Sequence, residues 1–283
     1  MTPSPANVDL QASLGEHFGF AHFKEGQVEA IRAAQAGRDV VVIMPTGSGK
    51  SLCYQLWAMV EPGVTLVVSP LISLMKDQVD GLSARGLPAT FINSSLSADE
   101  MRRRMDGLRA GNYRLVYIAP ERFRNQRFMT ALSAVNVSLL AVDEAHCISQ
   151  WGHDFRPDYL RLRKVVRRFS ASRVMALTAT ATPDVRADVI VQLGLDQAPR
   201  QDPAVLVYGF ARPNLHLSVS RCATHDMKLK RIAGVLASFP TGVIYCSTRK
   251  QTERVHQMLK TVDRAGVFYH AGLSDEERKS VQD

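Results

Sequence analysis

Two short stretches combine residue types that can do chemistry. Residues 46 to 51 read Thr46-Gly47-Ser48-Gly49-Lys50-Ser51, and far downstream an apolar run ends in Asp143-Glu144-Ala145-His146. Gly47 and Gly49 carry no Cβ, so the backbone there can wrap round a phosphate and turn successive N–H groups toward it, with Thr46 and Ser48 in the same loop. Lys50 can then reach the β- and γ-phosphates, and the Ser51 hydroxyl can ligate Mg²⁺. The strict phosphate-loop pattern wants glycine where this chain has Met44. Of the two adjacent carboxylates, Asp143 can hold the magnesium shell while Glu144 orients and deprotonates a water that attacks the γ-phosphate. Taken together, the stretches predict a site for ATP and Mg²⁺ with Lys50, Asp143 and Glu144 as its catalytic groups.

A second set of residues could recognise ligands. Gln27 follows the aromatic turn Phe18-Gly19-Phe20-Ala21-His22-Phe23-Lys24-Glu25-Gly26. An amide offers one donor and one acceptor side by side, as an adenine edge requires, and an aromatic or cationic neighbour can stack on the base. Core packing is the alternative role for this turn. Directly after His146 runs Cys147-Ile148-Ser149-Gln150-Trp151-Gly152-His153-Asp154-Phe155-Arg156-Pro157, punctuated by Gly and Pro rather than periodic. Aromatics and a guanidinium in a loop can stack on unpaired bases and grip a backbone, or they can simply anchor the loop.

The elements that must position these groups alternate. The β-branched run 40–43 feeds the phosphate loop, and further strands are predicted at 64–69, 89–92, 115–118, 139–142 and 174–177. Helices are predicted over 8–17, from the aromatic turn to about 37, and over 158–169. Ser97 with Glu100 forms a capping box, and Thr182-Pro183 marks a helix start. Such alternation implies a mostly parallel sheet flanked by helices, with ligands at the carboxyl ends of the strands. From 197 to 214 the chain is Pro-rich and loses its periodicity, so a hinge is expected at 209–214. A second αβ pattern follows, with strands at 216–219, 242–246 and 266–270 and helices at 227–239 and 248–261. The expected division is a first domain over 1–208 and, over 215–283, the amino-terminal part of a second.

Composition sets outer bounds. The 283 residues are 46% hydrophobic, enough for a real core, and 35 Lys and Arg against 27 Asp and Glu give a net charge of +8 that suits a polyanionic partner. Residues 1–7 are polar and expected to lack structure. No apolar run approaches membrane-spanning length, so a cytoplasmic protein is expected, nucleoid-associated if prokaryotic. Cys53, Cys147, Cys222 and Cys246 form no C-x-x-C pair, which leaves neither a zinc knuckle nor a disulfide framework and predicts no zinc in this chain.

With these residues in place, the chain closely resembles the RecQ family of DNA helicases. The resemblance rests on residues 18–27, 44–55, 68–79 (VSPLISLMKDQV), 117–123 (YIAPERF), 141–160 (AVDEAHCISQWGHDFRPDYL), 175–180 (MALTAT), 243–246 and 269–273 (YHAGL), in the family's order through nearly the whole chain. It implies an α/β fold: a RecA-like P-loop domain with a parallel sheet flanked by helices, then an incomplete second RecA-like domain. It further implies an ATP-dependent 3′–5′ helicase acting on single-stranded and partly duplex DNA in repair and recombination. On this resemblance Gln27 reads adenine with Phe20 and Lys24 beside it, and Met44 to Ser51, Pro45 included, form the phosphate cradle. His146 and the Thr178-Ala179-Thr180 segment couple the nucleotide state to DNA. Trp151, Phe155 and Arg156 sense the single strand, and Ser69, Pro70, Ser73, Arg122 and Ser247 track its backbone. The family commonly carries Tyr and Arg where Phe20 and Lys24 stand, an exchange that keeps a plane and a charge but loses the guanidinium fork.

Nothing after Gly272 matches the family's later motifs with their arginine finger, or its zinc-binding and winged-helix region. The chain is therefore expected to be the amino-terminal part of such a core, binding ATP·Mg²⁺ but unwinding little by itself. Two other readings stay open on sequence grounds: an RNA helicase, which shares the loop and acidic box, and an ATP- and DNA-binding regulator without turnover.

Overall fold

The computed structural model describes residues 8–152, 154–198, 200, 202–209, 214–239, 241–261 and 266–282. Residues 1–7, His153 and most of the expected hinge (210–213) lie outside these described residues. The chain divides into two compact units, residues 1–211 and 212–283.

The first unit is built on seven parallel strands: β1 (Val40–Ile43), β2 (Val64–Val68), β3 (Ala89–Ile92), β4 (Leu115–Ile118), β5 (Val137–Val142), β6 (Arg173–Thr178) and β7 (Ala204–Val207), in the order β3-β4-β2-β5-β6-β1-β7. Because side chains alternate across a strand, the sheet splits its apolar residues cleanly between two cores. Val41, Ile43, Leu66, Val68, Val116, Ile118, Leu140, Val142, Val174 and Ala176 face one core. That side is covered by α5 (Ala98–Arg109), α6 (Gln126–Leu132), α7 (Leu162–Arg168) and α8 (Pro183–Leu193). Val40, Val42, Val67, Leu115, Tyr117, Leu139, Ala141, Met175 and Leu177 face the other, under α1 (Leu10–Phe18), α2 (Gln27–Gln35), α3 (Lys50–Val60) and α4 (Ile72–Ser83). The continuous apolar runs are thus strands buried on both faces.

The predicted caps form: Ser97 and Glu100 bond reciprocally, and Thr182 accepts from the Val185 N–H ahead of Pro183. Three expectations need correction. The stretch after 197 contains a strand, β7, whose register sets Val40 against Ala204 and Ile43 against Val207. It is an edge strand with Val205 and Val207 exposed, so it lacks the doubly buried signature of its neighbours. The helix predicted over 158–169 begins instead as a 3₁₀ turn, Pro157–Arg161, and becomes α-helical at Leu162. There Asp158 takes a two-pronged bond from Arg124, and Tyr159 reaches back to the Asp143 carbonyl.

In the second unit α9 (His225–Ser238) and α10 (Arg249–Thr261) form near their predicted places and α11 (Asp275–Gln282) follows, but residues 216–219, 242–246 and 266–270 are not strands. A strand exists only by pairing, and Leu217, Val219, Val243 and Tyr245, each at least 78% exposed, have no ladder beside them among the described residues. No helix among the described residues is long and apolar enough to cross a membrane.

At the end of the sheet away from the carboxyl edge, Asp39 and Arg200 form a buried ion pair at 2.7 Å. Asp39 also accepts from the Val174 N–H, and Arg200 reaches the Ser172 carbonyl at 3.2 Å, so the pair ties β1, β6 and the approach to β7 together. Removing one partner of such a pair leaves a buried charge uncompensated at about 3–5 kcal/mol. Arg200→Ala should destabilise the first unit by about that much, and adding Asp39→Asn should restore part of it. Tryptophan fluorescence in a urea titration reads this unit alone, since Trp57 and Trp151 both lie in it. A loss under about 1 kcal/mol would show that the pair does not hold the strands.

Candidate active site

The phosphate-loop sequence leaves β1 at its carboxyl end. Met44 N–H donates to the Thr178 carbonyl at 3.1 Å, carrying the β1–β6 ladder one step past the strand. The Met44 side chain turns away from the loop into the core, where a Cβ on Gly26 would lie only 2.3 Å from its Cε. Glycine at 26 thus makes room for methionine at 44. Gly49, with φ 79°, precedes the first turn of α3, and a Cβ there would strike Gln27 Nε2 at 2.5 Å.

That contact shows what Gln27 does here. Only 2% exposed, it donates from Nε2 to the Ser48 and Gly49 carbonyls, both at 3.0 Å, and its Oε1 accepts from the Lys24 N–H at 2.8 Å. Lys24 Nζ donates to the Gly47 carbonyl at 2.9 Å, and Lys50 Nζ to those of Met44 and Pro45 at 3.1 and 3.3 Å. The three side chains hold the loop by its own carbonyls. Phe20 is half exposed, with the Arg85 guanidinium 6.0 Å from its ring centre.

The carboxylates leave β5, where Asp143 N–H donates to the Val68 carbonyl at 2.9 Å. Burial, and then the Glu144 charge, push the Asp143 carboxyl up to about 6, against the opposing effects of the Glu144 N–H bond and the Lys50 charge. Glu144 sits at φ 46°, the one non-glycine residue with positive φ among the described residues. Its carboxylate lies 3.3 Å from His146 Nδ1. The Tyr159 hydroxyl braces the Asp143 carbonyl at 3.0 Å, a role the sequence does not announce.

His146 is buried, with Nδ1 2.8 Å from Thr178 Oγ1. That hydroxyl donates its one proton to the Thr180 carbonyl and accepts from the Thr180 N–H. The Glu144 carboxylate near the same nitrogen can only accept, which favours a proton on Nδ1, and Nε2 faces Cys147 Sγ at 3.8 Å. Burial, followed by the Asp154 charge, pushes the Cys147 thiol up to about 12.

In the loop beyond, Trp151 is 80% exposed and Phe155 half-buried. Arg156 pairs with Asp154 at 2.9 and 3.1 Å and donates to the Pro70 carbonyl at 3.0 Å. Two cavities adjoin this loop. One of about 510 Å³ is lined by His146, Trp151, Thr180, Pro183 and Val207 among others. The other, about 300 Å³, has Thr46, Pro70, Glu144, His146, Asp154 and Arg156 in its wall.

Residues 44–51, Lys24, Gln27, Asp143, Glu144, His146, Thr178 and Thr180 thus come together at the ends of β1, β5 and β6. Pro70 and Arg156 join them by the β2 end. Ser69 is buried there and Ser73 is exposed on α4. Arg122 turns against Phe128 and Met101, and Ser247, in the second unit, donates to Gln251 at 2.8 Å.

The sequence profile of the DEAD/DEAH box helicases matches residues 24–189. The chain is 43% identical over 275 residues to the ATP-dependent DNA helicase RecQ of Bacillus subtilis, covering 96% of this chain and 46% of that protein. It is 42% identical over 266 residues to the ATP-dependent DNA helicase RecQ of Pasteurella multocida, covering 94% and 41%. It spans less than half the length of these two relatives. Among solved structures, Mycobacterium smegmatis helicase Lhr bound to ssDNA and AMP-PNP shares the fold, with a TM-score of 0.65 at 18% identity over 99% of this chain and 40% of that one. The strand ends that carry the phosphate loop and the carboxylate pair fall inside the matched segment, and the chain belongs to the DEAD/DEAH box helicase family, with RecQ DNA helicases among its relatives.

Proposed function

We propose that the chain is the ATP-driven part of a RecQ-type DNA helicase, moving 3′–5′ along single-stranded DNA and opening partly duplex DNA in repair and recombination. The observation that carries this reading is the 300 Å³ cavity, where a phosphate-loop residue, the water-activating carboxylate and the base of the aromatic loop share one wall. In this reading residues 1–208 form the first RecA-like domain, 209–214 the hinge, and 215–283 the amino-terminal part of the second.

ATP lays its phosphates on the loop N–H groups at the start of α3, and Lys50 exchanges the Met44 and Pro45 carbonyls for phosphate oxygens. Gln27 meets the adenine edge by giving up bonds to the loop carbonyls, with Phe20 and Lys24 flanking the base. The donor set suits Mg²⁺: a hydroxyl on Ser51 and the half-buried carboxylate of Asp143 offer the hard oxygen ligands this cation takes. When bound, Mg²⁺ would offset the charge that develops on the phosphates. Glu144 takes the proton of the attacking water, and its neighbour His146 relays the change through Thr178 to Thr180. Trp151 and Phe155 stack on unpaired bases, Arg156 grips the strand, and Ser69, Pro70, Ser73, Arg122 and Ser247 follow its backbone.

Single-turnover ATP hydrolysis and nucleotide binding, with and without single-stranded DNA or RNA, test the reading. Lys50→Ala should fold normally but lose nucleotide binding and hydrolysis together. ATP binding as tight as the parent's would refute the phosphate-loop assignment, and stronger stimulation by RNA than by DNA would redirect the substrate.

Trp151→Ala with Phe155→Ala should weaken single-stranded DNA binding by about 1–3 kcal/mol per lost stacking partner while ATP affinity holds. Fluorescence anisotropy with a labelled oligonucleotide measures this, and unchanged DNA affinity would return the loop to a structural role.

The Asp143 carboxyl has a folded value near 6 against an unfolded value of about 4. The native state therefore holds this proton more tightly, and the associated stability is present below pH 4 and lost as pH rises through 6. Asp143→Asn should stabilise the nucleotide-free protein by about 1–3 kcal/mol at pH 8 and by almost nothing at pH 4. Denaturation curves at both pH values provide the check, and an equal change at each would contradict the burial account.

A further inference from the structure

Three unlike metal-ligating atoms meet where the acidic box runs into the aromatic loop. His146 Nε2 lies 3.8 Å from Cys147 Sγ, which lies 3.7 Å from Asp154 Oδ2, and all three atoms fall within 4.8 Å of one another. With Zn–S near 2.3 Å and Zn–N and Zn–O near 2.0 Å, donor atoms at the corners of a tetrahedron stand about 3.3–3.6 Å apart. The observed Nε2–Sγ and Sγ–Oδ2 separations are a few tenths of an ångström from that, while the Nε2–Oδ2 pair, within 4.8 Å, has to draw closer on binding. Nitrogen, thiolate and a single carboxylate oxygen suit a borderline-soft cation rather than Mg²⁺.

Histidine supplies the second, independent observation. Metal-bound imidazoles commonly donate their other ring N–H to an oxygen that fixes the tautomer. Here Nδ1 has two such oxygens beside it, Thr178 Oγ1 at 2.8 Å and the Glu144 carboxylate at 3.3 Å, and Nε2 faces the cluster. His146 and Cys147 are buried and held in place, while Asp154 is 47% exposed and gives the cluster an opening to solvent.

We propose that His146 Nε2, Cys147 Sγ and Asp154 Oδ2 form a Zn²⁺ site, completed by one water, that clamps the Trp151 loop against the strand ends. As the S–Zn bond forms, the thiol proton leaves to solvent. Asp154 Oδ2 exchanges the Cys147 S–H contact and part of its pairing with Arg156 for the cation. Trp151 lies between two of the ligands in the chain, so an occupied site holds the loop in one position. The C-x-x-C pattern cannot reveal such a site. The fold makes it, by a turn in which Gly152 N–H donates to the Ser149 carbonyl and Arg156 N–H to the Cys147 carbonyl.

The test titrates Co²⁺, then Zn²⁺, into the full chain carrying Cys222→Ser and Cys246→Ser, which removes the two half-exposed thiols. The expected result is one equivalent of Co²⁺ with a thiolate-to-metal charge-transfer band, displaced by Zn²⁺. Cys147→Ala should abolish the band, and Asp154→Asn should raise the Kd at least about tenfold. Should Cys147→Ala fail to fold, the outward-facing Asp154→Asn carries the test alone. Absence of the band in the parent, or an unchanged Kd in the variants, overturns the proposal. The titration needs no ATP turnover, so its failure would leave the helicase reading standing.

Discussion

The bond from Met44 N–H to the Thr178 carbonyl joins the two halves of the site. It lies one residue past β1, so the first residue of the phosphate loop is still counted in the register of the sheet. Its acceptor residue also holds His146 through its side chain. On the far side of β6, the Asp143 N–H continues the β5 ladder onto Val68 in the same way. A parallel sheet buried on both faces leaves only its ends for polar chemistry, and adjacent strands are about 4.8 Å apart. Carboxylates on β5, hydroxyls on β6 and the loop on β1 therefore fall within a few side-chain lengths without any long-range tether.

The doubly buried strands and the two chemical stretches were legible because their signals are local: β-branched runs, glycines at a tight turn, two acids after an apolar strand. The β7 strand was not, since an edge strand buries one face and advertises itself with half the pattern. Gln27 was legible as an amide beside an aromatic turn, but its use on the Ser48 and Gly49 carbonyls depends on a contact across 21 residues that no periodicity encodes. Asp39 and Arg200 are separated by 161 residues and carry no motif. The predicted strands of the second unit show the converse failure. Alternation records what a segment would bury in a sheet and cannot say whether the neighbouring strands are there.

The second unit is held differently from the first. Its three helices bury only Val255 among their described side chains, whereas the first unit has two closed cores. Regions with few buried apolar contacts open at low free energy, so cooperative stability resides in the seven-stranded sheet.

Trp151 leaves most of its indole in water, although a folding chain ordinarily covers so large an apolar surface. At about 25 cal/mol per Å² over the exposed 80% of some 150–250 Å², the fold forgoes roughly 3–5 kcal/mol of hydrophobic stabilisation at this residue. That free energy is left available to whatever flat partner covers the ring. An encounter at the loop can therefore be favourable before any charge is paired, and the partner's departure restores the exposed state without unfolding anything beneath it.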